Sequence, residues 1–288
     1  MWQQYFTPNN LSDALQLMEQ HRDRARIIAG GTDLVLDLSN GRLPPVESLV
    51  DISQIPELKK ISVNGSKLSI GSGVTLTEII QSDLIRQKAP LLVEAAREIA
   101  GPQIRNMATI GGNVVNASPA ADMVPPLLVL ESEVMVTKPS QMMRQVPMAR
   151  FLQGNRKVDL EVSEVVTGFT FTVPDPPTLF YFRKVKPRRS MAITMINIAI
   201  FLKVEDKRIK DIRIAMGAVA PTAVRLHTME SELVGLPVEK AVEPARYFGT
   251  DQDIAPISDF RASRQYRLRV ARNLLREAVT ELLSNFKS

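Results

Sequence analysis

The sequence predicts an α+β protein made of two domains. Short apolar runs that end in glycine or in an Asn-Gly turn predict strands, and apolar residues spaced three and four apart predict helices. Residues 173–177, Val-Pro-Asp-Pro-Pro, predict a linker because this composition breaks regular structure. The chain has 288 residues, more than one typical domain. We therefore expect a first domain at residues 1–175 and a smaller α+β domain at residues 178–286.

The first 55 residues predict a small βαβ lobe. A capped helix that runs to Met18 precedes a strand at residues 25–29. A glycine turn, a short helical stretch from Asp33 and a strand at residues 48–52 follow. Two strands joined through a helix predict a parallel pair.

A second lobe is expected at about residues 56–175, with a mixed sheet. Asn64-Gly65 lies between two apolar segments and favours a tight hairpin. Thr75 with Glu78 three residues later has the spacing of a capping box, which starts a helix. Apolar patterns predict the remaining elements: a helix at 90–100 and strands near Val134 and Val165.

The second domain begins with two strands, at residues 193–204 and 209–219, joined by a charged turn. Helices follow, and the last one carries many arginines opposite a row of apolar residues at helical spacing. The net charge of +5 raises nucleic-acid binding as an alternative. No aromatic residues interleave with these arginines, so a solvated helix face or a subunit contact is favoured instead.

Two glycine pairs, Gly30-Gly31 and Gly111-Gly112, each follow an apolar segment. Glycine tolerates positive φ and lets backbone amides approach a phosphate closely. The spacing fits neither a Gly-x-Gly-x-x-Gly fingerprint nor a Walker A loop. Either pair alone is more often a plain turn, whereas two such pairs favour one shared ligand.

The surroundings of both pairs resemble one family. Residues 99–128 are closely similar to the FAD-binding subunit of molybdenum hydroxylases, which include xanthine and carbon monoxide dehydrogenases. Residues 27–34 resemble that family's pyrophosphate loop, and residues 260–263, Phe-Arg-Ala-Ser, its C-terminal signature. The resemblance covers nearly the whole chain. It implies an oxidoreductase subunit with an FAD-binding domain of the vanillyl-alcohol-oxidase (PCMH) type.

The resemblance also implies how FAD is held. Backbone amides of the first loop and the Thr32 hydroxyl would cradle the pyrophosphate, and the second loop would hold its other side. Arg26 stands where relatives often carry lysine. The complete predicted set is Arg26, Ile27, Ile28, Ala29, Gly30, Gly31, Thr32, Asp33, Leu34, Thr109, Ile110, Gly111, Gly112, Asn113, Asn116, Asp122, Val166 and Lys184.

Three of these residues have ordinary structural alternatives. Asp122 matches a position that accepts hydrogen bonds from FAD hydroxyls, but it could also cap a helix before Met123. Lys184 matches a flavin-adjacent lysine, which would stabilise the reduced flavin anion, but it could equally be a solvated lysine in a basic strand. Val166 matches a residue that touches the flavin ring, yet any core valine would look the same.

The composition limits the chemistry that this chain performs. It contains no cysteine, which excludes disulfides and iron–sulfur clusters, and its two histidines are given no role, so no metal site is expected. We assign no catalytic residue. The resemblance implies that a large partner carries molybdopterin, that a small cysteine-rich partner carries [2Fe-2S] clusters, and that NAD or another acceptor takes the electrons. It also implies a dimer of heterotrimers.

The expected location is the cytoplasm. No apolar run approaches the 18 or so residues that span a bilayer, and the first residues lack a basic start followed by an apolar core. We therefore expect no membrane span.

Two other functions stay open at this point. The first is a self-contained flavin reductase of the enolpyruvyl-reductase type, which would need a proton donor over the flavin that we cannot identify. The second is a structural or basic nucleic-acid-binding protein with incidental glycine turns. Within the favoured family, Gly30-Gly31-Thr32-Asp33 is closer to xanthine dehydrogenases than to carbon monoxide dehydrogenases, which usually have histidine and serine there. This leans towards a purine or another N-heterocycle as the substrate.

Overall fold

A computed structural model describes residues 2–188, 192–259 and 261–286. The N-terminal lobe is a three-stranded parallel sheet in the order β1-β3-β2. The predicted βαβ lobe is therefore confirmed, with an additional edge strand, β1, that is too short to show a sequence pattern. Its elements are β1 (Gln4–Phe6), α1 (Leu11–His21), β2 (Ala25–Ile28), α2 (Leu34–Ser39) and β3 (Ser48–Asp51).

The second lobe contains a five-stranded sheet in the order β4-β5-β10-β6-β7. Its helices and strands are β4 (Ile61–Asn64), β5 (Lys67–Gly71), α3 (Leu76–Gln81), α4 (Asp83–Lys88), α5 (Pro90–Arg97), α6 (Pro102–Arg105), α7 (Ile110–Val115), α8 (Val124–Val129), β6 (Glu133–Thr137), β7 (Met143–Pro147), α9 (Met148–Phe151), β8 (Leu152–Gly154), β9 (Lys157–Val158) and β10 (Val165–Thr172). Strands β8 and β9 form a separate small hairpin.

Local signals in this lobe produced the expected structure. The Asn64-Gly65 turn joins β4 to β5 in an antiparallel hairpin, with Gly65 at a φ of +58°. Thr75 caps α3, and both hydrogen bonds of the capping box with Glu78 are present. All pairs of the five-stranded sheet are antiparallel, which differs from the mixed sheet that we expected. For two of these pairs, β4–β5 and β6–β7, the reason is a short connection, which permits only antiparallel pairing.

The C-terminal domain is a four-stranded antiparallel sheet, β11-β12-β13-β14, followed by helices. The turn between the two long strands contains Asp206 and Lys207, both at positive φ, as in the tight turns that match strand twist. The elements are β11 (Leu179–Val185), β12 (Ile196–Glu205), β13 (Arg208–Gly217), β14 (Val224–Arg225), α10 (His227–Leu233), α11 (Val238–Ala241) and α12 (Arg264–Leu283). Short 3₁₀ helices lie at Arg22–Arg24, Pro56–Lys59, Pro244–Gln252 and Ser284–Phe286.

The C-terminal sheet packs on both of its faces. Helix α12 covers one face, and its Leu275 and Ala278 join Ile198 of β12 in a buried cluster. Helix α8 of the second lobe packs on the other face, where Phe201 of β12 shares a core with Leu128. The two domains are therefore joined by a continuous apolar seam. In the described parts of the chain, every helix is too short or too polar to span a bilayer.

Candidate functional site

The first glycine loop runs from the end of β2 to the start of α2. Gly31 has a φ of +66°, which favours glycine over any residue with a side chain. Gly30 lies against the residues that precede the second glycine pair: a Cβ atom added to Gly30 would be 1.9 Å from the carbonyl oxygen of Met107. Because real Cβ atoms do not approach oxygen so closely, residue 30 must lack a side chain. The two segments, far apart in sequence, are thus in backbone contact.

The amides of this loop are available to a ligand. The N–H groups of residues 30–33 have no hydrogen-bond acceptor among the described residues. A row of free amides in a turn forms a concave donor surface for an anion. Asp33, at the end of the row, is an exposed residue, but partial burial of its carboxyl group raises the pKa of that group. The charge of Arg156 lowers this pKa, and the charge of Asp37 raises it.

The second glycine loop has a different local chemistry. Thr109 caps α7 by accepting a hydrogen bond from the Gly112 amide at 3.0 Å, and the Gly111 amide donates to the Ser72 carbonyl at 2.9 Å. We expected this pair to repeat the amide chemistry of the first, but its amides are already bonded within the protein. Apart from its chain neighbours and the backbone of its own helix, a Cβ atom at Gly112 would meet the Thr109 hydroxyl at 3.1 Å and no other atom of the described residues within 4 Å. This loop therefore offers an open surface rather than free donors.

Asp122 and Lys184, 62 residues apart in sequence, form a buried ion pair between the two domains. The Lys184 Nζ donates to Asp122 Oδ2 at 2.7 Å, and the exposed fractions of the two side chains are 3% and 6%. A solvated lysine, the alternative weighed for Lys184, is therefore wrong. The alternative for Asp122 is also wrong, since its carboxylate bonds to the other domain and α8 has no side-chain cap.

Neighbours that the sequence did not indicate complete this pair. Thr194 and Asn197 donate to Asp122 Oδ1 at 2.6 and 2.7 Å, and the Glu98 carbonyl accepts a second hydrogen bond from Lys184 at 3.0 Å. Asn197 is the one polar residue in the apolar first seven residues of β12, which is the signal that could have identified it. The site thus contains a buried carboxylate and a buried ammonium group, each with remaining hydrogen-bonding capacity.

Two asparagines of the second loop act as braces. The Asn113 Oδ1 accepts from the Met123 amide at 3.2 Å, which connects α7 to the start of α8. The Asn116 Oδ1 accepts from the guanidinium of Arg156. Both residues belong to the predicted cofactor-binding set, and both of these side-chain oxygens accept hydrogen bonds from within the protein.

The remaining predicted residues lie around the first loop or in the core. Arg26 is exposed on β2, and Ile28 is 7% exposed and packs in the core of the N-terminal lobe. Val166 is 5% exposed and belongs to the core of the second lobe. Phe260 of the C-terminal signature lies outside the described residues, whereas Ser263 caps α12 by accepting from the Tyr266 amide.

Two family models identify the chain as a flavoprotein. A family model described as the FAD binding domain in molybdopterin dehydrogenase matches residues 2–176, and one for the CO dehydrogenase flavoprotein C-terminal domain matches residues 180–282. The chain therefore belongs to the FAD-binding subunits of the molybdenum hydroxylase family, and it is an oxidoreductase component that binds FAD.

Relatives and solved structures agree over almost the full length. The xanthine dehydrogenase FAD-binding subunit of Escherichia coli O157:H7 is 32% identical, with 97% of this chain and 96% of the relative covered. The carbon monoxide dehydrogenase medium chain of Hydrogenophaga pseudoflava is 30% identical, with 96% and 95% covered. A structure of carbon monoxide dehydrogenase from H. pseudoflava matches with a TM-score of 0.93 at 29% identity, covering 99% of this chain and 98% of that one.

These similarities bear on the other functions considered. The relatives are named as FAD subunits or medium chains of larger dehydrogenases, which does not favour a self-contained reductase. Among the described residues, no group of three or more histidine and acidic side chains is arranged to hold a metal ion. The chain also has no cysteine.

Proposed function

We propose that this chain carries electrons from the [2Fe-2S] clusters of a partner subunit, through FAD, to NAD or another acceptor. The observation that carries the proposal is the combination of free amides in the first loop with the buried Lys184–Asp122 pair at the domain seam. A chain without cysteine has no ligands for iron–sulfur clusters of its own. A flavin can exchange electrons singly with clusters and in pairs with a nicotinamide.

We assign the pyrophosphate to the first loop. The amides of residues 30–33 supply donors without a buried cation, which suits two phosphate groups that carry one negative charge each. The open face at Gly112 leaves room for the ligand to approach the second loop. In this assignment Thr109, Ile110 and Gly111 shape that surface.

We assign the flavin end to the Asp122–Lys184 pair. An ammonium group has three N–H donors, and two of those on Lys184 are used by Asp122 and the Glu98 carbonyl. No described residue accepts from the third donor, which can hydrogen-bond the flavin, and the positive charge would stabilise the reduced, anionic form of the flavin. Asp122 accepts three hydrogen bonds and retains capacity for one hydroxyl of the cofactor. Val166 would then line an apolar wall.

We further propose the surroundings of this subunit. A large molybdopterin subunit and a small [2Fe-2S] subunit would join it in a dimer of heterotrimers, in the cytoplasm. The substrate would be a purine or another N-heterocycle, supported by residues 30–33 of the first loop. The domain boundaries at 1–175 and 178–286 also stay a prediction.

Isolation of the native complex tests the proposal. A tagged chain should co-purify with a larger molybdopterin protein and a small cysteine-rich protein, and the complex should contain FAD, molybdenum and iron. The separately purified chain should contain flavin but hydroxylate no purine, aldehyde or carbon monoxide, since it has no metal centre for that reaction. A single chain that hydroxylates substrate, or a native complex without either metal, would contradict the proposal.

A further inference from the structure

Arg156 lies in the turn of the β8–β9 hairpin and connects α2 with α7, the two helices at the glycine loops. Its guanidinium Nη1 pairs with the Asp37 carboxylate of α2 at 3.1 Å and also donates to the Asn116 Oδ1 at the end of α7. Helix α2 follows the first loop, and α7 contains the second. One side chain therefore connects both halves of the pyrophosphate site.

The backbone holds Arg156 firmly in this position. Its amide donates to the Ala117 carbonyl at 3.0 Å, directly after Asn116. Its φ is +60°, a left-handed conformation that costs a residue with a side chain about 1 kcal/mol compared with glycine. A glycine or asparagine would fit the turn with less strain, so the backbone conformation alone does not explain the arginine.

The charges around Arg156 show what it compensates. Asp33 and Asp37 lie one helical turn apart beside the free amides, and the Asp37 side chain is only 7% exposed. Two carboxylates next to a diphosphate would repel it. Arg42 also pairs with Asp37, at 3.5 Å, but its side chain is 70% exposed, and its hydrogen bonds to the described residues do not reach α7.

We propose that Arg156 is a positioning residue for FAD: it fixes the spacing of the two glycine loops through Asn116 and Asp37, and so sets the preference for a diphosphate cofactor. The inference rests on the assignment of the pyrophosphate to these loops. A cofactor without the pyrophosphate, such as FMN, makes no use of this spacing. Arg156 therefore acts on the affinity for FAD and not on that for FMN.

The test is titration of the flavin-free full chain with FAD and with FMN. Arg156→Gln should lower the affinity for FAD about tenfold, or about 1.4 kcal/mol, and leave that for FMN unchanged. Arg156→Lys keeps the charge, but its Nζ is one bond closer to the backbone than the Nη1 that makes both contacts, and it should weaken FAD binding at least fivefold. Arg42→Gln is the matched control, because it removes a guanidinium group that pairs with the same carboxylate, Asp37, and leaves the contacts of Arg156 in place. The affinities of this variant for FAD and for FMN should both stay within twofold of the wild type.

A double variant tests whether Arg156 acts through Asp37. Asp37→Asn combined with Arg156→Gln should bind FAD no more weakly than the weaker single variant. Additive losses, an Arg156→Lys protein that binds FAD like the wild type, or equal losses for FAD and FMN would overturn the proposal. A wild-type chain with no preference for FAD would instead refute the pyrophosphate assignment itself, and this inference with it. The unfolding midpoint of each flavin-free variant checks that it folds.

Discussion

Replacing Lys184 with methionine tests whether the domain seam depends on its buried ion pair. Methionine has nearly the length of lysine but no charge, so Asp122 would remain buried beside an apolar side chain. Breaking a buried pair by removing one partner costs about 3–5 kcal/mol, because it leaves an uncompensated charge. Asp122 would keep its hydrogen bonds from Thr194 and Asn197, at 2.6 and 2.7 Å. We therefore expect the lower end, about 3 kcal/mol.

The assay is urea unfolding of the flavin-free chain, followed by circular dichroism. Lys186→Met is the matched control on the adjacent segment, since its ion pair with Glu98 is more exposed, at 24% and 38% of the side chains. It should cost less than about 1 kcal/mol. Adding Asp122→Asn to Lys184→Met should recover part of the lost stability, because the orphaned charge is gone. A loss below about 1 kcal/mol for Lys184→Met, or a double variant no more stable than the single one, would show that the ion pair does not stabilise the domain seam.

Three further predictions concern the two glycine loops and the residue before the C-terminal signature. Gly30→Ala should destabilise the fold by about 2 kcal/mol, because its Cβ would overlap the Met107 carbonyl. Gly112→Leu should instead abolish FAD binding with little loss of stability. Unfolding curves and flavin titrations distinguish the two effects, and the reverse pattern would contradict the site. Burial disfavours the charge of Asp259, but amide and Arg267 hydrogen bonds outweigh it and lower its pKa from 3.8 to about 2. The stability that this lowered pKa contributes is complete above pH 3.8 and is lost as the pH falls towards 2. Asp259→Asn should therefore lower the free energy of unfolding at neutral pH and flatten its pH dependence between these values. An unchanged pH profile of unfolding would show that the carboxylate contributes nothing.

The first loop could be predicted because its signals are local. A buried strand, a glycine that needs positive φ and a helix start follow one another within ten residues, and each depends on its own neighbours. The hairpin at Asn64-Gly65 and the capping box at Thr75 are of the same kind.

The partners of the site residues could not be predicted in this way. Thr194 and Asn197 reach Asp122 across 72 and 75 residues of sequence, and only the packing of α8 on the C-terminal sheet brings them together. The requirement for glycine at position 30 likewise comes from Met107 on another segment. The engaged amides of the second loop were also missed, because Gly111 bonds to Ser72, a residue far upstream.

Rapid mixing of the native complex with substrate tests whether electrons pass through FAD on this chain. Two preparations are compared: the complete complex, and one in which Gly112→Leu excludes FAD. In both, substrate should bleach the absorbance of the [2Fe-2S] clusters at the same rate, because those centres lie on the partner subunits. Reduction of the acceptor should occur in the complete complex and be lost without FAD. Undiminished reduction of the acceptor in the FAD-free complex would contradict the account.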